Sequence, residues 1–568
     1  MQLNDIWGYG QLFGLSGLDG QTRLYSDFVA TLDEQELCFR FELGCWTKLY
    51  FPIEGKIRFR AVTGDMVDAS TDMGDFFITF ASSDCVVGYS PVEPKLEGQN
   101  PLRHRHSLGV DLWHYGYCFG VVTRKEGDLY KFSIYHTDGS TSYARNAAKR
   151  FLETDVHALK KARYAYYESL PPCKDARYEK LYYKALSVNK VNVHTAQGHF
   201  PCRWTTPDRV PHKNMWLWDS AFHALAISTY DCDLAKDALR AVLSQADDDG
   251  HISCMMTPYD YGVEQTQPQV LAWAVWEVYQ KSGDKAFLRE SLPALEGYLT
   301  WDMQNRDNNK NGLLEWFIEP DTPLGGGESG WDNSPRFDTG ALMDAVDFSS
   351  FMAHDAKYLA LVCEELGEKE KAQKWQAVYE NVKMQISALL WDEEDGVYYD
   401  RTLDGELTKV LTPASFFPMF VGAPTQEQAE RMVRVLTDEN LLWTEVPLAT
   451  VAKTHPAYSN DYWRGGVWLN CNYFVIKGLR AYGFDDLAQT LLEKTLANVD
   501  KWYQQTGTIF ELYDPEGETS PFYLERIKKQ PLDKPDWRKQ CHTICDFNWS
   551  ASFTLLFIQK ELFDEVKK

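Results

Sequence analysis

Between Gly325 and Phe337 the chain reads GGGESGWDNSPRF, which sets Glu328, Trp331 and Asp332 on a glycine-rich stretch. Consecutive glycines are costly inside a helix, so this stretch is predicted to be a loop. Pro335 holds Ser334 out of helical geometry and stiffens the exit. An indole packed on the Asp332 carboxyl would disfavour ionisation and raise its pKa. A carboxyl that keeps its proton near neutral pH can act as a general acid. Spacing alone leaves a second reading equally open: an aspartate capping the TGALMDAVDF helix that follows. Another carboxylate, Glu511, lies in TGTIFELYDPEGE, flanked by Phe510, Leu512 and Tyr513. Burying a carboxylate without a partner is expensive, so this company is unusual. The plainer alternative is an edge strand with Glu511 facing water. Two carboxylates facing each other across an aromatic cavity could hydrolyse a glycosidic bond. One would protonate the leaving oxygen while the other attacked carbon or activated water.

Four more segments mix aromatic and polar groups just before apolar helical runs. KNMWLWDSAFH carries Trp216, Trp218, Asp219 and His223; EQTQPQVLAW carries Gln267. SNDYWRGGVWLNCNYF carries Trp463, Arg464 and Trp468; DFNWSASF carries Trp549. Indole faces with Asp, Gln or Arg hydrogen bonds can hold sugar hydroxyls. For any one of these residues, membership of an aromatic core is the commoner reading, and Gln267 also simply precedes Pro268, a favoured helix starter. His223, one turn after Asp219, is assigned no catalytic role.

RDNNKNGLLEW places Asp307, Asn309 and Asn311 at alternating positions, then Gly312 and Glu315. Alternating oxygens around a glycine turn resemble a short calcium loop, although the usual twelfth-position glutamate is missing. An Asx-rich turn after a helix is the preferred reading and structural calcium the lesser one.

These residues need a scaffold. Residues 1–150 hold short runs rich in Phe, Tyr and Val, punctuated by Gly, Asp and Asn, which predicts a β-sandwich. Residues 151–175 form a linker helix region. From there to residue 568 about a dozen helical segments follow, with the barrel taken as 176–568. VLAWAVWEVY and VWLNCNYFVIKGL are apolar nearly all round, whereas EKAQKWQAVYENVKMQ and DDLAQTLLEKTLANVD carry a charged face. Alternation of inner and outer helices predicts an α/α barrel, whose loops at one end gather around a single cavity.

The composition bounds the partners. Net charge is −24, from 58 basic and 82 acidic residues, which argues against nucleic acid and anionic membranes. The 19 tryptophans suit a sugar-binding cleft. The first twenty residues do not read as a signal peptide, and no run is long and apolar enough to span a bilayer. The twelve cysteines form no paired metal motif, Cys541 and Cys545 around His542 included, which suits reduced thiols and a cytoplasmic setting.

MWLWDSAFH, GGGESGWDNSPRF, YWRGGVWLNCNYF, FELYDPEGE and FNWSASF occur in that order. Together they resemble glycoside hydrolase family 63 and its trehalase-like and mannosylglycerate-hydrolase-like relatives, over roughly residues 170–568. The resemblance implies an (α/α)6 barrel after an N-terminal β-sandwich, and inverting hydrolysis of α-glycosides. By motif match Asp332 takes the place of the general acid and Glu511 that of the general base. Trp218 and Asp219 match the sugar-binding pair, and Trp463, Arg464 and Gly465 match the Trp-Arg-Gly run. Gly466 stands where many relatives have proline. Inversion requires the two carboxyls to lie roughly 6.5–9.5 Å apart. The expected substrate is a small α-glucoside or α-linked oligosaccharide, lined by Trp216, Trp218, Asp219, Gln267, Glu328, Trp331, Trp463, Arg464 and Trp549. No cofactor is required, with structural calcium at Asp307, Asn309, Asn311 and Glu315 the lesser possibility. The alternative is a sugar-binding protein that has lost catalysis on the same barrel. A lyase or phosphorylase would need a Tyr/His base or a phosphate site, and no basic cluster accompanies these loops.

Overall fold

The computed structural model describes residues 3–4, 6–7, 12–14, 29–33, 37–41, 48–97, 102–106, 109–114, 117–137, 139–209, 212, 214–260, 262–319, 325–338, 342–527 and 543–560. It divides into two compact units, Met1–Thr195 with Tyr503–Ile509, and Ala196–Trp502 with Phe510–Lys568.

The first unit holds two antiparallel sheets. The smaller runs in the order Leu12–Gly14, Val29–Asp33, Cys38–Phe41, Lys48–Tyr50 and Lys95–Glu97. The larger has eight strands, with Leu129–Thr137 paired to both Tyr117–Glu126 and Cys85–Ser90. Phe39 of the smaller sheet stacks on Phe76 of the larger at 6.4 Å, and Phe51 meets Phe76 at 4.8 Å and Phe132 at 5.1 Å. These buried rings make the sandwich core expected from the alternating Phe-rich runs. The unit continues past residue 150. Buried Asp65 accepts hydrogen bonds from Tyr167 at 3.0 Å and from Lys190, drawing the helices Val156–Ser169 and Glu179–Val191 to the sheet.

The second unit is the α/α barrel. Its inner wall consists of Leu217–Ile227, Leu271–Ser282, Val346–Leu366, the 3-10 segment Pro413–Met419, Leu469–Ala481 and Asn548–Gln559. Each packs on the next and the last packs on the first, closing a ring of six. Leu217–Ile227 and Asn548–Gln559 are buried along their whole length, the fate of helices apolar all round. Outer helices such as Cys232–Leu243, Lys369–Leu389 and Gln426–Leu436 bury a single stripe. Their starts are written locally: Asp231 accepts from the Leu234 N–H, and Thr425 and Gln428 form a capping box.

Among the described residues no cysteine is in a disulfide, and no helix is long and apolar enough to cross a membrane. Cys45, Cys541 and His542 lie outside the described residues.

Candidate active site

The Gly325–Phe337 segment is a loop built from two 3-10 turns, Gly327–Ser329 and Pro335–Phe337. Gly330 joins them with φ +73, and a Cβ there would stand 2.2 Å from Cζ2 of Trp218, so both backbone and packing require glycine. Asp332 does not cap the next helix, Val346–Leu366, whose N-cap is Ala345. Its carboxyl is instead turned toward Tyr462, whose hydroxyl lies 3.2 Å from Oδ2. Burial raises the Asp332 pKa to about 6; the charge of Arg526 and the Tyr462 hydrogen bond oppose the shift, and the charge of Glu511 adds to it.

Glu511 is fixed at both backbone and side chain. Its N–H donates to the Ile544 carbonyl at 2.9 Å, and its carbonyl accepts the Ser550 hydroxyl at 3.2 Å. It is 1% exposed, so the water-facing edge strand is not what forms. Arg526 holds both carboxylate oxygens, Nε on Oε2 at 2.9 Å and Nη2 on Oε1 at 3.0 Å, and the Ile544 N–H adds a bond to Oε2 at 3.2 Å. Nη2 also donates to the Tyr462 hydroxyl at 3.2 Å. A chain of contacts therefore runs from Asp332 through Tyr462 and Arg526 to Glu511, groups far apart in sequence. His212 stands behind it, its Nε2 3.5 Å from Arg526 and its Nδ1 2.7 Å from Asp208. Burial works against a charge on His212, but the Asp208 carboxylate outweighs it and the pKa is raised.

The indoles beside these groups pack on one another. Trp331 stacks on Trp463 at 4.8 Å, and Trp463 on Trp468 at 4.0 Å with a 9° interplanar angle. Trp549 meets Trp218 edge-on at 4.8 Å. The indole N–H groups of Trp216, Trp331, Trp463 and Trp549 and Oδ1 of Asp219 are buried with no hydrogen-bond partner among the described residues. Burial, against the opposing charge of His212, raises the Asp219 pKa to about 8.

A family model described as the mannosylglycerate hydrolase MGH1-like glycoside hydrolase domain matches residues 212–550, which include every group of this constellation except Asp208. The chain belongs to this family of glycoside hydrolases. The mannosylglycerate hydrolase of Thermus thermophilus is 28% identical over 396 residues, covering 55% of this chain and 91% of that protein. An uncharacterized protein of Borreliella burgdorferi is 29% identical over 271 residues, covering 47% of this chain and 54% of that protein. A probable mannosyl-oligosaccharide glucosidase of Schizosaccharomyces pombe is 23% identical, covering 54% and 47% respectively. This chain therefore matches only about half the length of the last two relatives. In fold it is similar to the crystal structure of a GH63 mannosylglycerate hydrolase from Thermus thermophilus in complex with glucose, at TM-score 0.53 and 24% identity. That match covers 66% of this chain and 99% of the other. The resemblance to glycoside hydrolase family 63 read from the five motifs is thus borne out.

Within this glycoside hydrolase domain the other expected residues fall into distinct places. Gln267 accepts the Trp218 N–H at 3.1 Å, orienting the start of the first inner helix. Glu328 pins its loop: Arg306 donates to both of its oxygens, the Thr266 N–H to Oε1 at 2.9 Å, and the Phe317 N–H to Oε2. Burial raises the Glu328 pKa in spite of Arg306. Arg464 pairs with Asp338, tying the 461–465 turn to the exit of the Asp332 loop. His223 is buried against Thr205 at 2.9 Å.

Asp307, Asn309 and Asn311 close an Asx-type turn. Asp307 accepts the N–H groups of Asn311 and Gly312 at 3.0 and 3.2 Å, and the side-chain amides of Asn309 and Asn311 donate to Asp344. Glu315 accepts from Asn308 at 2.7 Å. These bonds make the Asx-rich turn, while Glu315 Oε1 is buried with no hydrogen-bond partner among the described residues, where no cluster of three or more His, Cys, Asp and Glu side chains suited to a metal occurs.

Tyr462, Arg526, His212 and Asp208 escape a reading of the sequence. Tyr462 is the first residue of YWRGGVWLNCNYF, which is its one signal; Arg526, in the bland PFYLERIKK, has none.

Proposed function

We propose that this enzyme is an inverting α-glycosidase, most specifically an α-glucosidase, that cleaves a small α-glucoside. The observation that carries this reading is a pair of carboxyls, half-buried Asp332 and buried Glu511, linked through Tyr462 and Arg526. Asp332, protonated below about pH 6, gives its proton to the glycosidic oxygen as the C–O bond breaks. Glu511 takes a proton from a water whose oxygen bonds to the anomeric carbon on the opposite face. Oε2 already accepts two hydrogen bonds and Oε1 one, so Oε1 is the oxygen that receives it. Trp216, Trp331, Trp463, Trp549 and Asp219 hold unsatisfied donors and an acceptor that a sugar's hydroxyls would take up. One relative is named for a mannosylglycerate and another as a glucosidase, which supports an α-linked gluco- or manno-configured sugar on a small acidic or sugar aglycone.

The test is hydrolysis of α-linked disaccharides, glucosylglycerate and mannosylglycerate by the purified protein, with NMR of the freshly released sugar. The β-anomer should appear first, and Asp332→Asn and Glu511→Gln should each lower the rate by about 10²–10⁴. An α-anomer released first, or hydrolysis that survives either substitution, would overturn the assignment.

A further inference from the structure

Tyr462 sits between the two carboxylates and neither the motif match nor the proposed chemistry assigns it a part. Its backbone is left-handed, with φ 52, a conformation unfavourable for a bulky residue that persists only where the surroundings impose it. They do so from several sides. The Trp463 N–H donates to Asn333 Oδ1 at 2.9 Å, and Asn333 Nδ2 donates to Asp461 at 3.0 Å. The Trp468 indole donates to the Tyr462 carbonyl at 3.2 Å. At Gly465, with φ +155, a Cβ would stand 1.9 Å from the Ser459 carbonyl, so the turn closes on itself. The held backbone aims the phenol at Asp332.

Donor and acceptor roles then follow by elimination. Arginine has donors only, so at the 3.2 Å contact with Arg526 Nη2 the phenol oxygen is the acceptor. Its one proton is left for Asp332 Oδ2, also at 3.2 Å. Burial keeps that phenol protonated, its pKa well above the usual tyrosine value. A carbonyl oxygen accepts a hydrogen bond more strongly than an acid hydroxyl does, so the oxygen facing the phenol proton is favoured as the carbonyl and the carboxyl's own proton goes to the other. No other hydrogen bond reaches the Asp332 carboxyl from the described residues.

We infer that Tyr462 is a positioning residue: its hydroxyl, oriented by Arg526, holds the transferable proton of Asp332 on Oδ1 and so aims the acid at the leaving oxygen. This rests on the reading of Asp332 as the general acid.

The experiment compares two substrates, an α-linked disaccharide and α-glucosyl fluoride, whose leaving group needs little protonation. Tyr462→Phe should lose about ten- to a hundredfold in kcat on the disaccharide and less than about threefold on the fluoride, a fraction of what a general acid supplies. The alkaline limb of its kcat/KM profile should move to higher pH. The bond that depresses the Asp332 pKa would be gone, while Arg526, His212 and Glu511, the charged groups acting on that carboxyl, stay. Equal losses on both substrates with an unmoved limb, or no loss on the disaccharide, would overturn the role. Asp332→Asn is measured alongside. If it too fails to discriminate the substrates, the acid assignment falls, and the Tyr462 result then refutes the inference with it; if it discriminates and Tyr462→Phe does not, only the inference falls. The two Asn333 bonds still join the loops in Tyr462→Phe, so the fold should survive, as melting would report. Should it not, 3-fluorotyrosine at position 462, a stronger donor of nearly the same shape, must move the limb to lower pH; an unmoved limb would refute the inference.

Discussion

Arg526 grips Glu511 with two nitrogens on two oxygens, Nε to Oε2 at 2.9 Å and Nη2 to Oε1 at 3.0 Å, and both side chains are buried. Removing one partner of such a pair leaves a charge in the interior, at a cost of about 3–5 kcal/mol. Arg526→Leu should therefore lower the unfolding midpoint and abolish turnover. Arg526→Lys, which keeps the charge but not the two-pronged grip, should recover part of the stability and little of the rate. Denaturant unfolding beside steady-state kinetics checks both. A leucine variant as stable as the parent would show that the pair does not anchor the site.

The pH dependence follows from Asp332. Its pKa is raised to about 6, chiefly by burial, and a general acid acts only while protonated. Activity should be high below that value and fall as pH rises through it, approaching a tenfold loss per unit. The same shift bears on stability. The folded carboxyl binds its proton more tightly than the unfolded one, so its favourable contribution is complete below the ordinary value of 3.8 and fades as pH rises through about 6. A kcat/KM profile flat from pH 5 to 8 would remove Asp332 from the acid's role.

How far these features could be read in the chain depends on where their partners lie. The barrel was legible because burial acts on whole helices: Leu271–Ser282 and Leu469–Ala481 are apolar on nearly every face and can only be inner. Asp332 was half legible: the glycines and Pro335 mark its loop, but spacing left a helix cap equally open, and the Tyr462 contact with Ala345 as the N-cap decides against the cap. Glu328, four residues earlier on the same loop, looks equivalent by those criteria. What separates them is Arg306, the Thr266 N–H and the Phe317 N–H, none of which is a sequence neighbour. Arg526 fails for the same reason. Nothing around it marks it, and its meaning comes from Glu511, fifteen residues back, and Tyr462, sixty-four residues back.

The distinction between the two acids can be tested directly. Glu328→Gln keeps the shape but leaves Arg306 without its charge partner, so stability and kcat should fall together while KM for the sugar changes little. The buried pair sets a loss of about 3 kcal/mol or more. A rise in KM alone, with unchanged melting, would instead place Glu328 on the substrate.

Two glycines on one loop offer a sharper contrast. At Gly330 the backbone is left-handed, and an added Cβ would meet the Trp218 ring at 2.2 Å; at Gly327 it would meet nothing within 4 Å. The same change to alanine should therefore have opposite consequences. Gly330→Ala must displace Trp218 or the loop that carries Asp332, costing roughly 1–3 kcal/mol and much of the activity. Gly327→Ala should stay within about 0.5 kcal/mol of the parent with its kinetics unchanged. Melting curves and kcat/KM for both variants, measured side by side, decide it. Equal behaviour of the two would mean that close packing of Gly330 on Trp218 does not hold the acid in place.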